Sequence, residues 1–488
     1  MARARARTTR PPQIHKFGGA SLADAAAIGH AVRIVQAQRP EPLVVVVSAM
    51  SGVTDALLDG AARAARGDAS HVRAAAEALR AQHAAAAQEL VPAGARLEEL
   101  LRLIGEAFAE LEQVAGGLGV LRELTPRTTD YLAARGERLS ARLFAAALDA
   151  AGCPAAYVDA TEIVQTDGTF GGASPDLRRT ERSARKALRP LLARGTVPVV
   201  PGFLGAAPDG QVATLGRGGS DLTATLLARV LGAREVSLWK DVPGLLTADP
   251  RIVPDARKLS VVSFEEMLEM SASGAGVLQL RSVEYARNHG VRIHCRSSFE
   301  DAPGTVVLAE GETMEQPLIT AVTHSTSEAR LTLVGVPNEP GAAASIFEAL
   351  AHGNVNVDMI VQNEPVSAAG RAEISFTVAR EDLRHAYAAL QPLRGSLFED
   401  LNTHAEMGKV SIVGAGMRSH PGVAAKVFAV LAEEGVNIDM ISTSPIKISC
   451  VIARDRVPQA VRALHSAFEL SGAGTVGEEE PVKARPAP

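Results

Sequence analysis

The chain has 488 residues, which is enough for about two to four domains. Its 50 basic and 55 acidic residues leave a formal net charge of −5 at pH 7, and aromatic residues make up only 3% of the chain. The near balance of charge argues against a general nucleic-acid-binding surface, and the scarcity of aromatic side chains argues against platforms for base stacking.

Three cysteines, Cys153, Cys295 and Cys450, are scattered along the chain. Their spacing excludes a disulfide framework and a cysteine-based zinc site, and it suits the reducing cytosol. No apolar run approaches the length needed to span a bilayer, and the Ala- and Arg-rich residues 1–12 lack the apolar core of a secretory signal. We therefore expect a cytoplasmic protein whose basic start is a disordered tail rather than a transit peptide.

From residue 14 onward the chain alternates predicted strands with predicted helices. A short strand at Ile14–Phe17 is followed by Ser21 and Asp24, whose spacing resembles a helix N-cap, so we expect a helix that runs to about Gln38. The apolar, β-branched run Leu43–Val47 is typical of a central parallel strand. Further strands are expected near residues 155–158, 197–203, 235–239 and 291–296, with helices between them. This alternation indicates an α/β fold with an open, mainly parallel sheet layered with helices.

A glycine-rich loop, Leu-Gly-Arg-Gly-Gly-Ser-Asp at residues 215–221, separates a predicted strand from a predicted helix. Glycines let backbone N–H groups approach an anion closely, and the start of a helix adds a partial positive charge. On the glycines alone, an ordinary strand-to-helix turn is the favoured explanation. Arg217 and Asp221, which we expect to be a buried pair, make the loop a candidate site.

Open α/β sheets bind ligands at the carboxyl ends of their strands, and three such ends carry polar side chains. They are Lys16, Ser48 and the pair Lys240-Asp241, which can converge with the glycine loop on one crevice. Lys16 beside Gly18-Gly19 offers a cation and backbone donors to a phosphoryl group, although exposed lysines at loop starts are also common. The chain has neither a P-loop motif nor a Rossmann glycine fingerprint after its first strand.

Other polar residues allow two interpretations each. Arg217 has the planar fork that pairs with a carboxylate, and Glu137 can hold an ammonium group or lie on a solvated helix face. Asp241 and Asp249 can bind ribose hydroxyls or magnesium-bound water, and they can equally well cap turns. The twelve histidines are dispersed without metal-ligand spacing, so we expect no metal site built by the protein.

An internal repeat dominates the C-terminal part. Pro340-Gly341 and Pro421-Gly422 each begin a predicted helix, and each helix leads to an Asn-x-Asp stretch, at 356–358 and 437–439, with a constant offset of 81 residues. Each copy is typical of a small βαββαβ unit, which is a ferredoxin-like arrangement.

Several motifs in a fixed order resemble aspartate kinase, and the repeat resembles its two C-terminal ACT domains. The resemblance covers about residues 14–472. Its motifs are Lys-Phe-Gly-Gly-Ala-Ser at 16–21, Val-Val-Ser-Ala-Met at 46–50, Arg-Gly-Glu-Arg-Leu-Ser at 135–140, the glycine loop at 215–221, Thr-Ala-Asp-Pro-Arg-Ile at 247–252 and Ser-Phe-Glu-Glu-Met-Leu-Glu-Met at 263–270.

The resemblance implies a domain order. An amino-acid-kinase-type catalytic domain would occupy residues 14–308, and 309–327 would be a linker or strand that joins it to the regulatory part. The two ACT domains would occupy 328–400 and 401–472, with disordered tails at 1–13 and 473–488.

It also implies an activity, the phosphorylation of the L-aspartate side-chain carboxylate by ATP with Mg²⁺. The product would be 4-phospho-L-aspartate, at the first step of lysine, threonine and methionine biosynthesis, with feedback from amino acids bound to the ACT domains. No side-chain base is required, because a carboxylate is already ionised at neutral pH. The alternatives are a paralogue that acts on an aspartate analogue in specialised metabolism and a catalytically weak ACT-type amino-acid sensor.

Residue roles follow from the same resemblance. Lys16 would neutralise the γ-phosphate, and Asp221 would orient Lys16 and the reacting groups. Arg217 would take the substrate α-carboxylate and Glu137 its ammonium. The residues near the reacting carboxylate would be Ser48 and Thr54. The nucleotide site would comprise Lys16, Phe17, Gly18, Gly19, Gly218, Gly219, Ser220, Lys240, Asp241, Thr247, Asp249 and Arg251.

Effector amino acids, lysine or threonine or both, would bind between ACT units. A turn of backbone donors at a helix start suits an effector carboxylate, and an aspartate suits its ammonium. The expected residues are Pro340, Gly341, Asn356, Asp358, Pro421, Gly422, Asn437 and Asp439. Pairing of ACT units between chains would make the protein a homo-oligomer, and an internal start near Met267 or Met270 would give a shorter subunit. Neither nucleic acid nor a membrane is an expected partner.

The chain departs from the family pattern at three places. Gly276 stands where relatives have a lysine directed to the nucleotide, and Lys240 stands where a threonine is usual, so Lys240 is a candidate for the missing charge. The third departure is the segment 161–165, Thr-Glu-Ile-Val-Gln.

Overall fold

A computed structural model describes residues 10–310, 318–363 and 371–471. The chain divides into two compact units that interleave along the sequence. Within the described residues, the first unit comprises 10–245, 260–264 and 277–310, and the second comprises 246–259, 265–276, 318–363 and 371–471. Residues 1–9 and 473–488 of the expected tails lie outside the described part.

The first unit contains an eight-stranded sheet with the order β3-β4-β2-β1-β7-β9-β10-β8 and a two-stranded hairpin, β5-β6. Neighbouring strands of the large sheet are parallel, apart from the antiparallel pair β9 and β10. The strands are β1 (Gln13–Phe17), β2 (Leu43–Val47), β3 (Ala155–Tyr157), β4 (Val197–Pro201), β5 (Leu204–Ala206), β6 (Val212–Thr214), β7 (Glu235–Lys240), β8 (Val261–Ser263), β9 (Arg292–Ser297) and β10 (Thr305–Leu308). The expected open, mainly parallel sheet is confirmed.

Helices connect these strands. They are α1 (Ala25–Ala37), α2 (Val53–Arg66), α3 (Ala69–Leu90), α4 (Ala95–Leu121), α5 (Pro126–Ala150), α6 (Ala160–Ile163), α7 (Leu177–Ala193), α8 (Gly219–Leu231), α9 (Phe264–Ala272) and α10 (Leu280–His289). The N-cap of α1 is Asp24, whose side chain accepts a hydrogen bond from the Ala27 N–H, whereas Ser21 lies in a preceding 3₁₀ turn. None of the helices in the described part of the chain combines the length and the apolar character that a bilayer crossing requires.

The core of the first unit explains why the central strands are so apolar. Every residue of β2 is buried, as expected where helices cover both faces of a parallel sheet. Phe17 at the end of β1 stacks between Phe144 of α5 and Trp239 of β7, with ring centroids 5.5 and 5.9 Å away. These contacts hold the carboxyl ends of β1 and β7 and the helix α5 in a fixed arrangement.

The second unit contains a six-stranded antiparallel sheet with the order β12-β13-β11-β14-β16-β15. Its elements, besides α9, are β11 (Ala321–Pro337), α11 (Ala342–His352), β12 (Val357–Asn363), β13 (Arg371–Ala379), α12 (Leu383–Leu390), β14 (Asp400–Val413), α13 (Val423–Glu433), β15 (Met440–Ser444), β16 (Lys447–Ala453) and α14 (Val457–Ala467). Each copy of the repeat therefore contributes strands and two helices, as the sequence predicted.

The two copies are not simply consecutive, because β11 serves both. Its later residues, from Glu328, pair with β13, whereas its first residues, 321–325, pair with the end of β14. Ile319 and Val322 accordingly belong to the apolar core of the second copy, with Val410 and Ile412. A strand that precedes the first copy thus fills the fourth strand position of the second, within the segment 309–327 that we had expected to be a linker or strand.

The second unit also includes two segments that precede the repeat in the chain, 246–259 and 265–276. Ala248 and Val253 lie in the core of the second copy, and the Thr247 carbonyl accepts a hydrogen bond from the Val322 N–H. In α9, the Glu266 carboxylate accepts hydrogen bonds from the Thr320 hydroxyl at 2.5 Å and the Ala415 N–H at 3.1 Å. Segments 246–259 and 265–276, which we had expected to be catalytic, are therefore packed with the repeat.

Candidate active site

A cavity of about 550 Å³ lies in the first unit, where the carboxyl ends of β1, β2 and β7 meet the start of α8. Ten residues that the sequence predicted as site residues line it. They are Lys16, Ser48, Thr54, Glu137, Arg217, Gly218, Gly219, Ser220, Asp221 and Lys240. Parallel neighbouring strands bring these ends together, as the open α/β architecture predicts.

An aspartate that contacts two lysines lies in the wall of this cavity. Lys16 Nζ lies 2.7 Å from Asp221 Oδ1, and Lys240 Nζ lies 2.8 Å from Asp221 Oδ2. The side chains of Lys16 and Asp221 are 6% and 2% exposed, whereas that of Lys240 is 16% exposed. Lys16 and Lys240 come from the adjacent strands β1 and β7, and Asp221 lies in the first turn of α8.

Burial and mutual attraction set the charges of this cluster. Burial lowers the pKa of Lys16, although Asp221 counteracts this effect. Burial also opposes the charge of Lys240, but the attraction of Asp221 outweighs it and raises the pKa of this lysine. Burial disfavours ionised Asp221 as well, and the two lysines overcome it and hold the pKa of the carboxyl well below its usual range. The aspartate is therefore fully ionised at neutral pH.

Glu137 lies in α5 and is buried, so the alternative of a solvated helix face is wrong. The adjacent Gly136 explains its position, because a Cβ there would lie 2.8 Å from the Ala49 Cβ, and glycine lets α5 approach the end of β2. The Glu137 carboxylate accepts a hydrogen bond from the Ala49 N–H, whereas its Oε2 has no hydrogen-bond partner. Burial raises the pKa of Glu137 to about 7. An ammonium group from a ligand would supply the missing partner.

The glycine loop adopts backbone conformations that its glycines allow. Gly216 and Gly218 have φ values of 75° and 71°, in the left-handed region, and the side chain of Gln279 occupies the space that a Cβ on Gly218 would need. Arg217 is exposed, so the expectation of a buried Arg–Asp pair is wrong for the arginine and right for Asp221. The left-handed conformation on either side of Arg217 directs this residue outward, while the helix that follows buries Asp221.

Asp130 is a cavity residue that the sequence analysis missed. Its Oδ2 accepts hydrogen bonds from the backbone N–H groups of Gly171 and Thr214, at 2.9 and 2.8 Å, and its Oδ1 accepts one from the Thr214 hydroxyl at 2.7 Å. It thereby ties α5 to β6, directly before the glycine loop. An aspartate in the first turns of a helix reads as an ordinary surface residue, and only the tertiary contact reveals its role.

The remaining predicted residues of the first unit contribute differently. The Phe17 side chain is in the core, so only its backbone faces the strand end. Gly18 donates a hydrogen bond to the Trp239 carbonyl at 3.3 Å, and a Cβ on Gly19 would lie 3.3 Å from the Ala49 carbonyl oxygen. Asp241 is exposed beyond the end of β7 and does not line the cavity.

Thr247, Asp249 and Arg251 belong to the second unit. The Thr247 hydroxyl lies 2.9 Å from His465 Nε2, so it takes part in the core of the second repeat copy. Arg251 is 86% exposed and pairs with Asp249 at 2.6 Å. Gly276 also belongs to the second unit and is exposed. Their predicted role toward a nucleotide stays a prediction.

The residues expected to bind effectors are exposed at equivalent places in the two copies. Gly341 and Gly422 have φ values of 100° and 97° and precede α11 and α13. The Asn-x-Asp aspartates are both engaged within the chain, Asp358 with Lys409 at 2.5 Å and Asp439 with Arg330 at 3.1 Å. The other residues expected to bind effectors, which are also exposed, are Pro340, Asn356, Pro421 and Asn437.

Comparison with known proteins places the chain in a class. The amino acid kinase family model matches residues 12–297, and the ACT domain model matches residues 331–392 and 410–468. The fold and the cavity thus define an amino acid kinase that carries C-terminal ACT domains.

Relatives that align over nearly the whole chain narrow the class. The chain is 41% identical over 466 residues to the aspartokinases of Mycolicibacterium smegmatis and Mycobacterium tuberculosis, covering 94% of this chain and 96% of each relative. A structure of E. coli aspartokinase III in complex with aspartate and ADP matches with a TM-score of 0.81 at 30% identity, over 93% of this chain and 99% of that chain. The lysine- and aspartate-bound T-state of the same enzyme matches with a TM-score of 0.73 at 29% identity, over 94% and 100%. The chain belongs to the aspartokinase family.

The predicted aspartate kinase with C-terminal ACT domains is therefore confirmed, and so is its fold class. The individual roles of the site residues and the domain boundaries stay predictions.

Proposed function

We propose that this enzyme transfers the γ-phosphoryl group of ATP to the side-chain carboxylate of L-aspartate and releases 4-phospho-L-aspartate and ADP. The observation that carries the proposal is the cavity in which the Lys16–Asp221–Lys240 cluster and the unpartnered Glu137 oxygen occur together. A related enzyme, E. coli aspartokinase III, binds aspartate and ADP, which supports the same pair of ligands here.

Each group has a chemical task in this reaction. Lys16, ordered by Asp221, neutralises charge on the γ-phosphate, since phosphoryl transfer depends mainly on positioning and charge neutralisation. Glu137 takes the substrate ammonium and Arg217 its α-carboxylate, while Ser48 and Thr54 lie near the reacting carboxylate. That carboxylate is ionised at neutral pH and attacks phosphorus without a general base.

Magnesium would enter this site with the nucleotide. Among the described residues, no group of three His, Cys, Asp or Glu side chains could hold a metal ion, and both oxygens of Asp221 are engaged by lysines. This donor set fits Mg²⁺, which is commonly held by substrate phosphates, waters and few carboxylates. When bound, the ion would neutralise charge on the phosphates.

We assign residues 14–308 to catalysis and residues 328–400 and 401–472 to the ACT pair. The second ACT unit also includes the first residues of β11 and the segments 246–259 and 265–276. Lysine or threonine bound near Pro340-Gly341 and Pro421-Gly422 would inhibit the enzyme, a coupling of about 1–3 kcal/mol. Binding of lysine to the T-state of E. coli aspartokinase III supports this assignment. The homo-oligomer, the shorter subunit and the cytoplasmic location stay predictions.

Two alternatives concern the substrate and the turnover. A paralogue would prefer an aspartate analogue, and an amino-acid sensor would turn over slowly or not at all. The joint presence of Lys16, Glu137, Arg217 and Asp221 around one cavity argues against the sensor, because sensing through the ACT pair requires none of them.

The test is a coupled assay with ATP, Mg²⁺ and hydroxylamine, which traps an acyl phosphate as its hydroxamate. We expect product with L-aspartate and none above background with the Lys16→Ala variant. Preference for an aspartate analogue over aspartate would favour the paralogue, and equal signals from wild type and Lys16→Ala would refute the kinase assignment. Lysine and threonine, added separately and together, would identify the effector.

A further inference from the structure

One carboxylate in the active site faces two ammonium groups. Asp221 contacts Lys16 through one oxygen and Lys240 through the other, so its single negative charge can offset only one of them. Glu137 and Asp241 act on these lysines from farther away. Two buried cations on one carboxylate repel each other, and an anion that enters the site makes the arrangement more favourable.

The two lysines differ in how freely they can change partner. Lys16 lies within β1 and is 6% exposed, whereas Lys240 is the last residue of β7 and is 16% exposed toward the cavity. Phe17 pairs with Trp239, and the Gly18 N–H donates to the Trp239 carbonyl, so Lys240 lies beside the Gly18-Gly19 turn. A lysine ammonium on a flexible four-carbon stem can move between acceptors without a change of the backbone.

We propose that Lys240 is a second phosphate-binding cation, which leaves Asp221 and binds the γ-phosphoryl group of the nucleotide during transfer. The inference rests on the proposed function and deepens it. Lys16 keeps its bond to Asp221 and approaches the phosphoryl group from the β1 side, and Lys240 approaches from the β7 side. This role gives a function to the lysine that this chain has in place of the usual threonine.

The chemical step balances without a proton from either lysine. An oxygen of the substrate carboxylate forms a bond to the γ-phosphorus, and the bond from that phosphorus to the bridging oxygen breaks. The electron pair of the broken bond remains on the bridging oxygen, which becomes part of ADP. Lys240 donates a charge-assisted hydrogen bond to a non-bridging oxygen throughout.

A binding experiment separates the γ-phosphoryl group from the rest of the nucleotide. Isothermal titration calorimetry measures nucleotide binding independently of turnover. Trp239 is the only tryptophan of the chain, precedes Lys240 and has the Arg296 guanidinium 4.6 Å above its ring, so we expect its fluorescence to give a second signal of binding. The ligands are Mg²⁺ complexes of ADP and of a non-hydrolysable imido analogue of ATP. The variants are Lys240→Met, Lys240→Arg and, as a matched control on an exposed face of α7, Lys186→Met.

We expect Lys240→Met to bind the triphosphate analogue about 10- to 100-fold more weakly than wild type does, and to bind ADP within about twofold of wild type. The variant loses a hydrogen bond between charged groups, and only a nucleotide with a γ-phosphoryl group makes that bond. Lys240→Arg should recover most of the loss, and Lys186→Met should show none. Equal losses for both ligands, or a loss for neither, would overturn the inference.

Steady-state kinetics provide the second readout. Lys240→Met should lower kcat at least about tenfold with an unchanged KM for aspartate. A higher KM for ATP with an unchanged kcat would reduce Lys240 to a ground-state contact and refute its role in transfer. If wild type binds both nucleotides but forms no hydroxamate from aspartate, the proposed acceptor is wrong, while the nucleotide titration still decides the role of Lys240.

Discussion

Glu137 places a carboxylate in a buried environment where only one of its oxygens has a hydrogen-bond partner. Burial raises its pKa from 4.5 to about 7. Below about pH 4.5 the group is protonated in both the folded and the unfolded chain. As the pH rises toward 7 the unfolded chain loses the proton first, so the free energy of unfolding decreases, by about 3 kcal/mol in total.

Replacement of Glu137 by glutamine removes this pH dependence. We expect the thermal midpoint of Glu137→Gln, relative to that of wild type, to increase from pH 5 to pH 8 in the absence of ligands. Aspartate should raise the midpoint of wild type but not that of the variant, since the variant cannot pair with the substrate ammonium. A difference between the two midpoints that does not change with pH would contradict a raised pKa for Glu137.

Gly276 offers a second test at a single residue. It is exposed, and no heavy atom lies within 4 Å of a Cβ built on its backbone, so a larger side chain can be accommodated there. We expect Gly276→Lys to lower the KM for ATP, because it restores the cation that the family usually has at this position. Gly276→Gln is the control for length without charge, and an unchanged KM in the lysine variant would refute the assignment.

At the scale of elements, the close contact of α5 with the end of β2 determines where Glu137 lies. A Cβ on Gly136 would lie 2.8 Å from the Ala49 Cβ and 3.1 Å from Val53 Cγ1. Gly105, within α4, is the matched opposite, because a Cβ there meets nothing within 4 Å. The two glycines have the same residue type and secondary structure and differ in tertiary contact.

Alanine should therefore have opposite effects at the two positions. We expect Gly136→Ala to destabilise the protein by about 1–3 kcal/mol through overpacking and to raise the KM for aspartate. Gly105→Ala should stabilise it by about 0.5–1 kcal/mol, since alanine restricts the unfolded chain and favours the helix. Thermal unfolding and aspartate kinetics of both variants are the measurements, and shifts of the same sign would contradict the packing argument.

At the scale of the whole molecule, the two units share the chain in an interleaved manner. Ala248 and Val253 complete the core of the second ACT copy, and Glu266 is hydrogen-bonded to Thr320 and Ala415 in the same unit. A shorter subunit that began near Met267 or Met270 would lack Ala248, Val253 and Glu266, and it would need another way to cover that core.

Removal of the C-terminal part of the second unit should expose the segments 246–259 and 265–276. We expect trypsin to cleave a fragment of residues 1–310 after Arg251 or Arg257, at a protease concentration that leaves the 488-residue chain intact at Arg257. The reason is that the segment 246–259 lacks its apolar neighbours in the fragment. Mass spectrometry of the products identifies the cleavage sites. Equal resistance of Arg257 in the fragment and in the full-length chain would show that the segment 246–259 is stable without the ACT cores.

Local patterns determined much of this protein. The β-branched strands, the helix starts and the fixed order of short motifs predicted the sheet, the family and half of the residues that line the cavity, because strand ends in a parallel sheet must converge. The 81-residue repeat likewise predicted the paired βαββαβ units. These features depend on neighbours in sequence, which a pattern contains.

Only the tertiary structure decided which distant groups meet. Asp130 reaches Thr214, Lys240 shares Asp221 with Lys16, and Glu137 is buried although its helix appears polar there. The borrowed strand of the second ACT copy and the place of Thr247 in its core were equally beyond local patterns. The physical reason is that burial and pairing depend on contacts between residues far apart in the chain, whereas periodicity and turn chemistry report only on residues a few positions away.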